Sequence, residues 1–260
     1  MTTVSAPVRV TQNPYSAPMV GWISFIMFLL ATEGLIRFGF ISQFIVPPPS
    51  EIAISFGRLV AEEHIIRRFF YTVGECLTAG LMITVCGVAL GVLLSRYNLL
   101  RQACETWVAA LASAPFVLAY PLFMVIFGRN AWAIIVMGFV SGLPPVILKT
   151  IEGISGTRRV LVNVGRSFNL SGTQQVWKIL FPAALPTIFV GIRLGLVFAL
   201  INIVGTEFLI NFGGLGQLIA DLAERYDLAG TYAAICFVIL VSIVFFVTLE
   251  KIERWLRPVD

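Results

Sequence analysis

Six apolar runs, each about as long as a bilayer is thick in helix, leave this chain little choice of fold. They cover residues 20–40, 70–95, 104–127, 131–149, 187–209 and 231–249. A hydrocarbon core of about 30 Å takes about 20 residues of helix. Inside it every backbone N–H and C=O needs a partner within its own segment, and these runs lack the alternation of barrel strands. The fold class is therefore all-α, a polytopic membrane protein of six transmembrane helices. Composition agrees, because 58% hydrophobic and 12% charged residues are too few charges for the surface of a soluble domain.

Basic residues favour the cytoplasmic loops of a membrane protein, and this sets an orientation. With the N-terminus inside, Arg96, Arg101, Arg158, Arg159, Lys251 and Arg254 are cytoplasmic, whereas Arg58, Arg67, Arg68, Arg129 and Arg225 lie outside. Both termini are thus expected in the cytoplasm. The net charge of +4 is then a matter of topology and calls for no nucleic-acid partner. Residues 1–19, polar and holding Pro7, Pro14 and Pro18, read as a cytoplasmic tail ahead of a membrane domain over 20–260. Cys76, Cys86, Cys104 and Cys236 all fall within spans, have no metal-ligand spacing and read as small apolar core residues, so no metal site is expected.

Between the first two spans, the stretch VPPPSE stops one helix and starts another, with Ser50 as the N-cap and Glu51 in the first turn. Ile52, Phe56, Leu59, Val60 and Ile66 recur at helical spacing, so residues 50–68 are expected to lie as an amphipathic helix along the outer interface. His64, the only histidine, falls on its polar side and reads as solvated. Gly87 and Gly91 in the second span have the spacing that lets helices approach closely. Pro115 and Pro121 predict a kinked or broken third span, which lines a substrate path or serves packing alone. Pro144 and Pro145 mark the end of the fourth span.

A polar loop over residues 150–182 interrupts this pattern. RRVLVNVGRSF reads as a helix with Val160, Leu161, Val164 and Phe168 on one side, and Asn169 suits a left-handed turn. Ser171 and Gln174 have capping-box spacing and open a second helix bearing Val176, Ile179 and Leu180. The loop is an ordered helix–turn–helix knob, after which Pro182 and Pro186 lead into the fifth span.

Charged residues within spans are the other candidates for function. Glu33 and Arg37 stand four apart and can pair, while Glu75 and Glu105 sit near span ends where they reach water. Asn202 and Thr206 share one face of the fifth span with Glu207 close by, either lining a polar passage or bonding a neighbouring helix. Ser113 and Tyr120 of the broken span join them as candidate path residues. Catalytic constellations are missing. Lys149-Thr150 has no glycine-rich loop before it, and one histidine cannot supply most hydrolase sites. A secondary transporter or a polytopic enzyme is the alternative class, but neither repeated halves nor catalytic groups are evident.

The knob followed by ILFPAALPTIFVGIRLGL resembles the permease subunits of bacterial binding-protein-dependent ABC importers. VPPPSE after the first span, PFVLAYPLFMVIFG in the third and GGLGQLI after the fifth are similar to the branch that handles nitrate, sulfonates, taurine, bicarbonate and pyrimidine precursors. The resemblance implies a type I importer permease in the bacterial inner membrane. It implies ATP and Mg on separate ATPase subunits, no cofactor on this chain, a solute-binding protein outside, and a second permease copy or relative beside it in the lipid. It assigns ATPase coupling to Asn163, Val164, Gly165, Arg166, Phe168, Asn169, Leu170, Ser171, Val176 and Pro182. The chain departs from that pattern in three places. Asn163, Val164 and Gly165 stand where relatives have Glu-Ala-Ala, Asn169 replaces the loop glycine, and Glu75 stands where relatives commonly carry arginine.

Overall fold

The computed structural model describes residues 16–256, with side chains over 19–254. Most of the polar tail expected over 1–19 lies outside the described residues, and Ser16 already opens a helix. The helices run α1 Ser16–Arg37, α2 Pro49–Ala61, α3 Ile65–Arg96, α4 Asn98–Ala112 and, after a 3-10 turn at Phe116–Ala119, α5 Tyr120–Phe127. They continue with α6 Ala131–Ser155, α7 Arg159–Ser167, α8 Gly172–Gln175, a π turn Val176–Leu180, α9 Phe181–Ile210, α10 Leu215–Glu224 and α11 Leu228–Leu256. Among the described residues five helices are long and apolar enough to cross a membrane, and α4 with α5, bent by 88° at a short break, counts as a sixth when the pair is taken as one span. The break falls at Ser113–Pro115, where the proline pair predicted it.

At the centre α3, α6 and α9 pack together, because small residues let their backbones meet. Gly142 of α6 and Gly195 of α9 face each other so closely that a Cβ on either would stand 2.5–2.6 Å from the carbonyl oxygen of the other. Gly87 and Gly91 of α3 make way for Val146 and Thr150 of α6, as their spacing suggested. Ile83, Ile134 and Ile203 fill the space between, fully buried. A second cluster, Leu59, Ile65, Leu215, Leu218 and Leu222 with Ala233 and Ala234, joins α2 and α10 to α11. Arg193 of α9 pairs with Glu253 of α11 at 2.9 Å and lies 5.3 Å from the Phe246 ring centroid, which ties the last span to the core at the knob end.

Several expectations need correcting. Pro144 and Pro145 do not end the fourth span but lie buried inside α6, which runs on to Ser155. Each proline removes a rung of the helix ladder, and tight packing beside Gly142 and Gly191 holds the helix together regardless. Ser50 is not an N-cap, because α2 starts one residue earlier at Pro49. Its hydroxyl and its N–H instead donate to the Glu33 carboxylate, which also takes the Arg37 bond at 2.6 Å and so caps α2 from α1. The amphipathic stretch over 50–68 is two helices: α2 ends at Ala61, His64 takes φ 50°, and Ile66 and Arg67 belong to α3. Of the cysteines only Cys76 is buried, and Cys236 faces outward.

The contact between Gly142 and Gly195 yields a direct test. Gly142→Val should overpack it, at a cost of about 1–3 kcal/mol or more, and lower the apparent melting temperature of the purified protein by several degrees. Gly57→Ala, with nothing within 4 Å of the new methyl, should leave it unchanged or raise it.

Candidate functional site

The knob builds itself from local rules. Helix α7 ends at Ser167 with Phe168 as its C-cap, and Asn169 turns the chain with φ 51°, donating its N–H to the Arg166 carbonyl at 2.9 Å while Leu170 donates to Gly165 at 3.1 Å. Ser171 then caps α8, and the box is closed in both directions: Gln174 N–H donates to Ser171 Oγ at 3.3 Å, and Ser171 N–H to Gln174 Oε1 at 3.0 Å. Gln175 Nε2 reaches back to the Val162 carbonyl at 3.2 Å. The helices touch at Gly165, where a Cβ would meet Ile179 Cδ1 at 2.8 Å, so alanine would not fit there without a shift. Arg96 at the end of α3 donates to Thr173 Oγ1, fastening the knob to the bundle.

This assembly leaves an apolar crown uncovered. Phe168 is 75% and Val160 71% exposed, with Val164 also exposed beside them and the charge of Arg166 nearby. Asn163, Asn169, Ser171 and Pro182 are exposed, whereas Leu170 and Val176 are half-buried and Gly165 is buried. From α8 the helix continues without interruption through the π turn into α9, so the knob is the free end of a central helix. The extra residue of a π turn sits just before Pro182, which has no N–H to offer the preceding turn.

At the opposite end, Glu207 is fully buried at 0% exposure. Its Oε1 accepts from Thr72 Oγ1 at 2.7 Å, and its Oε2 accepts from the Gly216 N–H at 2.7 Å. Thr72 Oγ1 in turn accepts from the Leu215 N–H at 2.9 Å, so two side chains satisfy the free amides at the start of α10. Gly213 carries φ 100°, and a Cβ at Gly214 would collide with Thr72 Oγ1 and Glu207. The glycines of GGLGQLI therefore exist to bring this loop down onto the acid.

The other path candidates are only partly gathered. Asn202 Nδ2 donates to the Phe198 carbonyl and Thr206 Oγ1 to the Asn202 carbonyl, both within α9. Ser113 lies exposed at the break of the third span, while Tyr120 packs on the central core. Val117 in the 3-10 turn comes against Gly205 of α9, which joins the two segments. Glu105 pairs with Arg101, whereas Glu75, expected to reach water, is 5% exposed, because the α9–α10 loop lies over it. Thr72, the partner that positions Glu207, stood out in no sequence pattern.

The profile of the family described as "Binding-protein-dependent transport system inner membrane component" matches residues 83–258. The chain belongs to this family. Among its relatives, the putative aliphatic sulfonates transport permease protein of Bacillus subtilis (strain 168) is 26% identical over 76% of this chain and 71% of its own length. The glycine betaine/proline betaine transport system permease protein of Escherichia coli (strain K12) is 33% identical over 66% of this chain, which spans only 49% of that longer protein. The nitrate import permease protein of Synechocystis sp. is 28% identical over 68% of this chain and 64% of its own. In fold, this transport-system component matches a chain of the inward-facing MetNI methionine ABC transporter, with a TM-score of 0.66 at 20% identity over 75% of this chain and 96% of that one. It is an ABC importer permease of the type I fold, a multi-pass membrane protein.

The cap on α10 makes a second test. Glu207→Gln keeps the shape but loses one of the two accepting oxygens, at an expected cost of about 1–3 kcal/mol. Hydrogen exchange at the amides of Leu215 and Gly216 should speed up selectively, with the amides of α7 unchanged.

Proposed function

We propose that this chain is the translocating subunit of an ATP-driven importer and couples to separate ATPase subunits through the knob. The observation that carries the proposal is the exposed crown of Val160, Val164 and Phe168 at α7 and its C-cap, which packs at Gly165 against the start of a helix that runs on into the core. Exposed aromatic and aliphatic residues on a rigid element are what a partner's cleft buries. Asn163 and Arg166 lie on its rim. ATP and Mg belong to the partner, and this chain supplies a lever. A rocking of α9 against α3 and α6 then gives alternating access.

The solute path, in this reading, runs beside the break at Ser113 and past Tyr120 to the face of α9 that carries Asn202 and Thr206, with Glu207 holding its outer end. A solute-binding protein delivers a small polar or anionic solute to the α2 and α10 end. Helix α1 supports the need for a second permease, the same or a relative: Trp22, Phe25 and Phe28 are exposed and the helix touches little but α2. Lipid covers what the second permease leaves bare.

Truncation of a buried anchor typically costs over 1 kcal/mol of association energy. In membranes containing the complete transporter, Phe168→Ala should therefore lower uptake and solute-stimulated ATP hydrolysis together. Wild-type coupling in that variant would remove the knob from the ATPase contact.

Orientation has its own test. Single cysteines replacing Arg158 or Arg254 should react with an impermeant thiol reagent only from the cytoplasmic side, and those replacing Glu62 or Gln217 only from outside. The reverse pattern would invert the topology.

A further inference from the structure

At the end opposite the knob, two acids meet inside the bundle. Glu75 of α3 is hydrogen-bonded to Glu207 of α9. Glu207 is fully buried and Glu75 nearly so. The α9–α10 loop closes over both, because a Cβ at Gly213 would stand 3.5 Å from Glu75 Oε1 and 3.8 Å from Glu207 Cγ. Among the described residues neither acid forms an ion pair, and Arg68, one heptad before Glu75 on α3, is taken by Asp221 of α10 at 2.8 Å.

An ionised carboxylate only accepts hydrogen bonds, so a bond between two carboxyl groups contains one proton. Without it two negative charges would touch inside the bundle, which like charges at that distance do not sustain. The surrounding bonds show which acid carries the proton. Both Glu207 oxygens already accept, Oε1 from Thr72 Oγ1 and Oε2 from the Gly216 N–H, which is the bonding of a carboxylate. Glu75 accepts from no amide or hydroxyl among the described residues, and its partner is Glu207. Glu75 is therefore the donor.

The proton has a route to solution. A cavity of about 560 Å3 opens at this end, and Glu75 and Gly213 are part of its wall. Its other titratable groups come from three places. Arg67, Arg68 and Tyr71 belong to α3, Glu62, Glu63 and His64 to the turn before it, and Arg129 to the loop before α6. Glu63 is held by Arg225 at 2.7 Å, and Arg129 donates to the Asn211 carbonyl. Among the described residues α6 and α10 add only the uncharged Ala131 and Gln217 to the wall, and α11 adds none. The thiol of Cys76, next to Glu75 in α3, is the one other titratable group close to both acids among the described residues.

We propose that Glu75 and Glu207 bind one proton from the solution in this cavity, and that this proton latches the α9–α10 loop shut over them. With the proton in place, Glu75 ties α3 to α9 under the loop, and the Glu207 carboxylate holds the first amides of α10 directly and through Thr72. When the proton leaves to water, the two carboxylates repel. Glu75 then turns toward the cavity, where Arg67 and Arg129 stand exposed, and the loop lifts, taking the Leu215 and Gly216 amides off their cap. The closed loop holds one proton more than the open one, so rising pH favours opening. In the orientation proposed above, the pH sensed is that outside the cell. The latch itself needs neither the ATPase contact nor any particular solute.

The experiment uses the full chain in lipid nanodiscs. Infrared spectroscopy at neutral pH should show the C=O stretch of a protonated carboxyl group, and Glu75→Gln should remove it. Hydrogen-exchange protection factors, which already correct for the intrinsic effect of pH, are then followed from neutral into alkaline solution. Those of Leu215 and Gly216 should fall by up to about tenfold per pH unit as the proton leaves, the slope of a single proton, while those of α7 stay level. Glu75→Gln puts an amide that donates without titrating in place of the acid, so it should keep both amides protected and flatten the profile. His64→Asn, a residue that tolerates φ 50°, should leave the wild-type profile as it is. A missing carboxyl band, a flat wild-type profile, or a Glu75→Gln profile that still falls with pH would each overturn the proposal. So would protection restored by sodium ions at alkaline pH, which would make the pair a metal-cation site. The assay contains no ATPase, so these failures leave the coupling role untouched.

Discussion

The backbone contact between α6 and α9 is the constraint on which the rest of the bundle depends. With Gly142 and Gly195 facing each other, the two helices approach until each would-be Cβ position is filled by the other's carbonyl. Lipid offers apolar side chains no advantage over one another, so close approach with its dispersion gain is the main force left to hold spans together. Everything with a functional reading hangs on this pair. Helix α9 bears the knob at one end and Glu207 at the other, and α6 carries the chain into the knob and packs on α3.

Polar pairing finishes what packing begins. At one end Glu33 caps α2 from α1, and Glu207 with Thr72 caps α10 from α9 and α3. Arg58–Asp227, Arg68–Asp221 and Arg225–Glu63 then link the α2–α3 region to the α10–α11 region. The more exposed of these, Arg58–Asp227 and Arg225–Glu63, contribute little singly. Their common effect is placement, since they keep the cavity mouth and the α10 cap in register.

What could be read from the sequence was local. The spans are long apolar runs, the break at Ser113–Pro115 follows from proline chemistry, and Asn169 with Ser171 and Gln174 spells out a turn and a capping box within six residues. What escaped depends on partners far along the chain. Pro144 and Pro145 read as a helix end because a proline's missing N–H is a local fact, whereas the glycine-rich packing that lets α6 continue is tertiary. Glu75 looked solvated near a span end, and only the descent of the 211–214 loop buries it. Glu207 stood out as a charge in a greasy run, but Thr72, 135 positions earlier, gave no hint of being its partner.

The unbroken helix from Gly172 to Ile210 has a mechanical consequence. Gly195 divides it into arms of about 35 Å toward the knob and about 22 Å toward α10, at 1.5 Å per residue. A stiff rod pressed hardest against its neighbour at one point tilts about that point. Its ends then travel in opposite directions, the knob further than the α10 end by a ratio of about three to two. A displacement applied at the knob end of this rod would thereby be geared down into a smaller one at the α10 cap.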